Sequence, residues 1–502
     1  AAQKVNDHPN ARFIVLDPNG EYERAFGNEV DLLKPRIYKV EKIGNSQQLK
    51  VPIWLWNSAE WCAFTQASSK AQRPALLHAL RTTRSGYSDF TASASHEMRS
   101  LLRTILITSL SEKTSGSPWG AFPRSKNFYE KIVKWRTGLV QVDTFSEDEK
   151  KALQALTTFI DGLIAPRQGQ YPNYDFTPPE INTLIQLENE AHTIFGGSDT
   201  EIELCDADSP IEFQGESLIR NLEASAEVLN VLEYVDTMLI RVRTLLSDPR
   251  LKMVVGDYDG ISLENWLDNF IGSNQSTNGC LAIIDLSLVP SEIVQILTAV
   301  IARIIFEALQ RFRKENDQHK VLPTVLVMEE AHTFIRRYSE MNENQNNSAI
   351  CCKVFERIAR EGRKFGLGLV LSSQRPSELS PTVLSQCNTF LLHRISNDND
   401  QDLVYRYVPD NLRGLLRDLP ILPSQNAILL GWASELPVIV RMNDLPKEQQ
   451  PQSDDPDFWK VWTHEQEREV NWKVIADSWQ GKGAAEKEQP APQEAKPADQ
   501  VE

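Results

Sequence analysis

Four strongly apolar runs, spread along the 502-residue chain, limit its possible folds more than any other sequence feature. The runs are Ala11–Asp17, Cys280–Ser287, Thr324–Met328 and Leu367–Ser373. Nearly continuous apolar runs of this length are typical of strands that are buried on both faces of a parallel sheet. A helical pattern over Ser291–Phe312, with Ser291 as its predicted cap, follows the second run. This alternation predicts an α/β core built around a parallel central sheet.

Further segments complete the predicted organisation. Thr389–Arg394 predicts a fifth strand, and Asn426–Trp432 with Leu436–Met442 predict a terminal hairpin. Helical periodicity over Phe128–Trp135, Glu147–Ile164 and Leu218–Leu246 predicts a mainly helical insertion in the core. The predicted parts are the first core segment at 1–64, the insertion at 65–275, the second core segment at 276–445, short brace helices that dock tryptophans at 446–480, and a disordered tail at 481–502.

Composition narrows the class of protein without fixing its activity. No apolar run approaches the roughly 18–20 residues that a membrane helix needs, and the polar N-terminus has no signal-peptide profile. The six scattered cysteines contain no CxxC pair, which favours reduced thiols in a cytoplasmic protein. A net charge of −16 excludes a surface covered in nucleic acid, although a local basic lining is compatible with it.

Two adjacent glutamates follow the third apolar run, and they are the strongest chemical signal in the chain. An apolar strand that ends in two acids, here Glu329 and Glu330, is typical of the Walker B segment of proteins that hydrolyse nucleotides. In that interpretation Glu329 holds the Mg²⁺ hydration shell and Glu330 activates the water that attacks the γ-phosphate of ATP. Acids at a strand exit also serve as helix caps or surface charges, and that alternative stays open.

Polar groups on neighbouring segments strengthen this interpretation. Gln374 follows the fourth apolar run, where an amide can sense the γ-phosphate or the water, unless it is only a solvated loop residue. The segment FERIAREGRKFG carries Arg360 and Arg363. One of these arginines could reach a nucleotide in an adjacent subunit, because a permanently charged guanidinium stabilises phosphoryl oxygens. The alternative is a solvated face paired with nearby glutamates.

Two metal-based alternatives are weaker. His332 could join the two glutamates as a metal ligand, but "EEAH" is not HExxH and no second His or Cys lies at ligand spacing. A metal nuclease that uses Glu329, Glu330 and Asp285 is a further hypothesis.

Five longer segments, in the same order as in the family, resemble the HerA branch of the HerA/FtsK ATPases. They fall within residues 11–60 and 278–445, and the run from GRKFG through SQRP to LSQCNT is the most specific. The segments are FIVLDPNGEY, LAIIDLSLVPSEIVQILTAVIARIIFEA, VLVMEEAHTF, REGRKFGLGLVLSSQRPSELSPTVLSQCNTFLLHRISNDND and NAILLGWASELPVIVRM.

The resemblance implies a RecA-like P-loop NTPase core that forms a homo-hexameric ring around double-stranded DNA. It implies an ATP-dependent translocase or helicase that works with a nuclease or other effector, NurA-like or sirtuin-like, in DNA end processing or anti-phage defence. A ring-shaped scaffold that activates such an effector without motor activity is the alternative. The implied ATP-site residues are Asp17, Glu21, Glu329, Glu330 and Gln374, with Arg363, or less surely Arg360, as the arginine finger.

The chain departs from the family pattern in two ways. Glu329 stands where many relatives have Asp, so the metal shell is expected to be held differently. No G-x-x-x-x-G-K-[ST] sequence occurs in the 502 residues, and without it no backbone amides cradle the phosphates. We therefore expect the chain to lack an N-terminal barrel and the phosphate-binding loop that the full protein would carry; an ATPase that has lost the site is the alternative.

Overall fold

The computed structural model describes residues 11–480 with several gaps. The predicted tail at 481–502 lies outside the described residues. Residues up to Gln450 form one compact unit, and those from Pro451 onward form a second. The residues left out within 11–480 are 28–33, 43, 45, 86–93, 169–172, 198–205, 230, 259, 317–319, 339–346, 408–412, 435 and 452–457.

The described part of the first unit contains eleven strands, and six of them form one large sheet. The strands are β1 (Arg12–Asp17), β2 (Arg36–Lys39), β3 (Gln47–Gln48), β4 (Val51–Pro52), β5 (Val255–Gly256), β6 (Leu281–Asp285), β7 (Thr324–Met328), β8 (Leu367–Leu371), β9 (Thr389–Leu392), β10 (Asn426–Gly431) and β11 (Val438–Arg441). The large sheet has the order β3-β2-β6-β1-β7-β8, and its neighbours all run parallel. The predicted α/β class with a parallel central sheet is therefore confirmed. A short parallel pair joins β4 to β5.

The fifth strand predicted at Thr389–Arg394 is present, but it does not extend the parallel sheet. The strand exists as β9, but it belongs to a separate three-stranded sheet in which β10 pairs antiparallel with both β9 and β11. Leu392 and Ile428 are partners in register and share a small core of their own, separate from the main one. An apolar run predicts that a strand is buried, but it does not predict which sheet the strand joins. The predicted hairpin, by contrast, is β10 and β11.

Helices cover the sheet and fill the region between β4 and β6. The helices are α1 (Glu23–Gly27), α2 (Ser58–Thr65), α3 (Gln72–Ser85), α4 (Ala94–Ser115), α5 (Arg124–Gly138), α6 (Glu147–Ile164), α7 (Pro178–Ile194), α8 (Gly215–Val228), α9 (Leu232–Ser247), α10 (Pro249–Lys252), α11 (Leu263–Phe270), α12 (Val294–Glu315), α13 (Asn347–Glu361), α14 (Pro381–Leu384), α15 (Asp398–Tyr407), α16 (Arg413–Leu416), α17 (Phe458–Trp462) and α18 (Trp472–Trp479). Among the residues with assigned positions, no helix is both long and apolar enough to cross a bilayer.

Local sequence explains where several helices begin and end. At α6, Ser146 and Glu149 form a reciprocal capping box, which satisfies two amides at the helix start. The helix predicted at Ser291–Phe312 begins at Val294, and its cap position is Ile293 rather than the predicted Ser291, with no side-chain cap; the amides of Ile293 and Val294 donate to the carbonyl of Pro290. The single helix predicted over Leu218–Leu246 is two, α8 and α9.

Most of the predicted insertion is helical, and part of it has its own core. Helices α4, α5, α6 and α7 enclose a cluster that includes Phe128, Ile132, Leu156 and Ile181, separate from the main core. Helices α3, α8 and α9 pack into the main core instead, through residues such as Leu76, Leu222 and Met238. The boundary at residue 64 stays a prediction. In the second unit, Trp459, Trp462 and Trp472 are exposed, and their predicted docking stays a prediction.

Candidate functional site

Polar side chains meet at the carboxyl ends of four adjacent strands. Asp285 ends β6, Asp17 ends β1, Glu329 and Glu330 follow β7, and Gln374 follows β8. The register of the pairs places Asp17 opposite Asp285 and Leu16 opposite Met328, so the exits of the central strands lie at one level. This edge of a parallel sheet is where ligands bind in open α/β folds. The structure therefore brings together the acids and the glutamine that the sequence singled out.

The carboxylate of Asp17 organises the loop that follows β1. Its Oδ1 accepts hydrogen bonds from the amides of Asn19 (3.2 Å) and Gly20 (2.9 Å), and its Oδ2 accepts one from the amide of Tyr22 (3.0 Å). The residue is only 1% exposed. Burial raises the pKa of the Asp17 carboxyl above its ordinary value, against the lowering effect of the three amides. Asp17 thus stabilises the loop directly, and its predicted contact with a nucleotide stays a prediction.

Glu329 is held by a hydroxyl on each side. Tyr22 Oη donates to Glu329 Oε2, and Ser372 Oγ donates to Oε1, both at 3.1 Å. The backbone amide of Glu329 bonds to the carbonyl of Leu16 at 3.1 Å, which continues the β1–β7 pairing to the end of the strand. Burial raises the pKa of the Glu329 carboxyl, although both hydroxyls act to lower it. The side chain is therefore fixed by the loops after β1 and β8.

Glu330 has a left-handed backbone, with φ 44° and ψ 50°. A non-glycine residue in this region costs about 1–2 kcal/mol, and such strain is concentrated at functional sites. Gln374 Nε2 donates to Glu330 Oε1 at 2.7 Å. His332 Nδ1 lies 3.1 Å from the other oxygen, Oε2, but in an orientation that does not make a hydrogen bond. A buried carboxylate oxygen without a hydrogen-bonded partner suits a general base.

Asp285 and Gly20 meet at the neighbouring strand exit. Asp285 Oδ1 accepts from the amide (2.9 Å) and the hydroxyl (2.6 Å) of Ser287, and its Oδ2 lies 3.8 Å from Lys39 Nζ. Gly20 has φ +73°, and a Cβ there would lie 3.0 Å from both Asp285 oxygens. Glycine is needed because the loop turns left-handed and passes directly over the carboxylate.

The two predicted finger arginines lie away from these acids within the subunit. Arg360 is on α13, and Arg363 is in the short turn just before β8 begins. Both are therefore at the amino end of β8, roughly 16 Å along the strand from its exit. Both side chains are exposed, and neither forms an ion pair with any residue the structure describes. Any role at a nucleotide would have to be played in another subunit.

Sequence reasoning missed Tyr22, the bond from Ser372 to Glu329, and the contact between His332 Nδ1 and Ser373 Oγ, which are 3.2 Å apart. A local signal for the first was present: Asp17 is followed by Asn19 and Gly20, the residues of a turn in which an aspartate accepts from amides two and three positions on. The turn fixes the backbone position of Tyr22, whose amide also donates to Asp17. For Glu21, which is partly exposed, the described residues provide no hydrogen bond, so it stays a candidate for direct ligand contact.

The donor set suits a hydrated divalent cation rather than a metal held by protein ligands alone. In the described part of the chain, no group of three or more His, Cys, Asp or Glu side chains is arranged to bind a metal ion. The two metal-based alternatives, a nuclease that uses Asp285 and a role for His332 as a metal ligand, stay untested. Mg²⁺ commonly keeps several waters and uses one or two carboxylates beside nucleotide phosphates, which Glu329 can provide.

In sequence, parts of the chain are similar to HerA helicases. A family model for the central domain of helicase HerA matches residues 2–160. The DNA double-strand break repair helicase HerA of Pyrococcus furiosus is 32% identical over 189 residues, which cover 33% of each chain. The probable DNA double-strand break repair helicase HerA of Methanocaldococcus jannaschii is 39% identical over 144 residues, 27% of each chain. The matched part thus spans about a third of these relatives' length.

Among solved structures, the plasmid coupling protein TrwB in complex with ADP and Mg²⁺ aligns with 88% of this chain and 81% of its own, at 13% identity and a TM-score of 0.35. The family match reaches beyond residue 64, where the first core segment was predicted to end, and into the helices up to residue 160.

Proposed function

We propose that this chain, which is similar in part to HerA helicases, is a HerA-type protein and part of an ATP-driven translocase or helicase acting on double-stranded DNA. The observation that carries the proposal is the pair Glu329–Glu330 at the exit of β7, bonded to groups from β1 and β8. The carboxyl ends of these parallel strands lie together at one edge of the sheet, where open α/β folds bind ligands. The relatives named above are described as DNA repair helicases, which supports DNA as the substrate.

In this proposal each side chain has a distinct role. Glu330 takes the proton of the attacking water through its unbonded Oε2, and Gln374 fixes the other oxygen from the next strand. Glu329 orients the hydration shell of Mg²⁺, which when bound neutralises charge on the phosphates. Residues 1–502 contain no G-x-x-x-x-G-K-[ST] sequence, so hydrolysis needs a phosphate-binding loop that these residues do not provide.

The proposed assembly is a homo-hexameric ring around duplex DNA in the cytoplasm. The guanidiniums of Arg360 and Arg363 support it, since they are exposed and form no ion pair with a described residue, which leaves them available to a neighbouring subunit. A nuclease or another effector, NurA-like or sirtuin-like, is the proposed partner, in DNA end processing or anti-phage defence.

The test is Glu330→Gln in the full-length protein. This change keeps the side-chain shape and removes the base, so DNA-stimulated phosphate release is expected to fall by about 10²-fold or more while nucleotide binding remains. The control is Glu378→Gln, which alters a partly exposed ion pair with Arg375 at 3.2 Å. Unchanged turnover in Glu330→Gln would remove this residue from the mechanism.

The same variant separates the motor from the scaffold hypothesis. If the ring drives its partner by hydrolysis, the Glu330→Gln complex loses the partner's activity on linear duplex DNA. If that activity is retained although hydrolysis is lost, the ring acts as a scaffold that activates its effector.

A further inference from the structure

The segment 18–22 after β1, called here the acidic loop, uses the carboxylate of Asp17 for its own hydrogen bonds. Three amides of the same loop occupy both Asp17 oxygens, at 2.9 to 3.2 Å, and the residue is almost completely buried. A carboxylate that accepts three amide hydrogen bonds is stabilised where it is and has little capacity left for a ligand. The role of Asp17 therefore lies in the loop conformation that its carboxylate stabilises.

Tyr22 is the residue through which the loop reaches the strand exits. Its amide donates to Asp17 Oδ2 (3.0 Å), and its phenol donates to Glu329 Oε2 (3.1 Å). Both ends of the residue are thus fixed, one by β1 and the other by the segment after β7. Burial, and then the neighbouring Glu329 charge, raise the pKa of the Tyr22 phenol, so it stays protonated and remains a donor.

Glu329 needs this support more than a shorter acid would. A glutamate has one more rotatable bond than an aspartate, and ordering a long side chain costs conformational entropy. No cation among the described residues forms an ion pair with Glu329, while Glu330 and Asp17 repel its charge. Two neutral hydroxyls, from Tyr22 and Ser372, therefore define where the carboxylate lies.

We propose that Asp17 and Tyr22 are positioning residues that act in series, Asp17 fixing Tyr22 and Tyr22 fixing Glu329. This assignment rests on the proposed function for the role of Glu329, but the contacts themselves do not. It replaces the predicted nucleotide contact of Asp17 with an indirect role. It also explains how a glutamate can serve at the first position of the acidic pair.

The first measurement needs no nucleotide. The full-length protein is labelled with 3-fluorotyrosine, and the Tyr22 resonance is assigned in the ¹⁹F spectrum by its loss in Tyr22→Phe. Both Glu329→Gln and Asp17→Asn are expected to shift this resonance. Glu329→Gln changes the acceptor of the Tyr22 phenol. Asp17→Asn replaces one carboxylate oxygen, which accepts from the amides of the loop, with an NH₂ group and so disturbs the position of Tyr22. The resonance of Tyr38, whose phenol donates to the Asn269 carbonyl at 2.7 Å, is the internal control and is expected to stay in place.

The second measurement is the Mg²⁺ dependence of ATP hydrolysis. Tyr22→Phe and Asp17→Asn are each expected to raise the Mg²⁺ concentration for half-maximal rate severalfold, with a smaller change in the KM for ATP at saturating Mg²⁺. The double variant is expected to be no worse than the poorer single one, because residues that act through one contact are not additive. Tyr38→Phe, which also removes one buried tyrosine hydroxyl, is the matched control and is expected to behave as the parent.

The outcomes separate the two proposals. A Tyr22 resonance that does not respond to Glu329→Gln, or additive effects of Asp17→Asn and Tyr22→Phe, would overturn the series arrangement. If the resonance responds as expected in a protein that does not hydrolyse ATP, the positioning contacts stand and the proposed function fails.

Discussion

Gln374 Nε2 lies 2.7 Å from Oε1 of Glu330, so the side chain after β8 directly restrains the acid after β7. Gln374→Leu removes this donor with little change in volume. Leaving a half-buried carboxylate oxygen without its partner costs about 1–3 kcal/mol. If that cost falls on the transition state, kcat for ATP hydrolysis in the full-length protein decreases about 10- to 100-fold. Steady-state kinetics checks this, with KM for ATP expected to change little.

Gln386→Leu is the control for that variant, because the Gln386 side chain is exposed and, among the described residues, donates only to the adjacent Ser385 Oγ at 3.4 Å. Equal losses of kcat in both variants would show that the 2.7 Å contact has no special part in turnover.

Gly20→Ala is expected to displace the acidic loop. The new Cβ would lie 3.0 Å from both Asp285 oxygens and from Ser287 Oγ, in a backbone with φ +73°. The left-handed backbone costs about 1–2 kcal/mol, and crowding adds about 1–3 kcal/mol. Denaturant unfolding of the full-length protein measures the loss. The control is Gly44→Ala, where φ is +59° but nothing lies within 4 Å, so it pays only the backbone cost. Equal destabilisation by the two changes would contradict the crowding at Gly20.

If the proposed ring and arginine finger are correct, Arg363→Ala is expected to abolish hydrolysis without loss of ring assembly, because Arg363 lies at the opposite end of β8 from Glu330 and would act on the nucleotide of a neighbouring subunit. Arg360→Ala tests the second candidate in the same way. The decisive measurement is mixing: inactive Arg363→Ala subunits are combined with inactive Glu330→Gln subunits. A finger that acts in trans restores activity, because some interfaces receive an intact arginine from one variant and an intact glutamate from the other. No recovery in mixed rings would place the defect within one subunit.

The sequence predicted the parallel sheet and the meeting of its polar exits for one physical reason. Apolar runs such as Ala11–Asp17 and Thr324–Met328 can be buried on both faces only in the interior of a sheet, and parallel strands place all their carboxyl ends at one edge. The start of α6 was equally accessible, because Ser146 and Glu149 satisfy its first amides locally.

What the sequence did not predict depends on contacts between distant segments. Whether β9 joins the parallel sheet or pairs with β10 is decided by the small core around Leu392 and Ile428, which no local pattern specifies. The hydroxyls of Tyr22 and Ser372 reach Glu329 across 307 and 43 positions of the chain. Loop hydroxyls have no periodicity, so their partners appear only once the strands are in register.

The helical region between β4 and β5 contains an acid that provides a prediction independent of any activity. Glu188 on α7 is completely buried, and Ser109 Oγ on α4 donates to its Oε1 at 2.9 Å. Its Oε2 has no hydrogen-bond partner. Burial raises the pKa of the Glu188 carboxyl from 4.5 to about 8, although the Ser109 bond acts against this. The group is therefore neutral in the folded protein at pH 7 and charged in the unfolded chain.

Because the folded state holds this proton and the unfolded state releases it, stability is highest below pH 4.5 as far as Glu188 is concerned. The free energy of unfolding then falls as pH rises from about 4.5 to about 8, by on the order of 5 kcal/mol in total. Glu188→Gln keeps an acceptor for Ser109 and cannot ionise. This variant is expected to lose most of the pH dependence and to be more stable than the parent at pH 8.

Hydrogen exchange of the α7 amides between pH 5 and pH 9, corrected for the intrinsic rates, measures the local stability. Glu190→Gln is the matched control, since Glu190 lies on the same helix but is exposed, and in the described part of the chain its carboxylate accepts only from Gln186 at 2.8 Å. His192 lies one turn from Glu188, is also buried, and is present in all three proteins. If the parent and Glu188→Gln show the same slope of stability with pH, the carboxyl is already ionised in the fold, and the raised pKa is wrong.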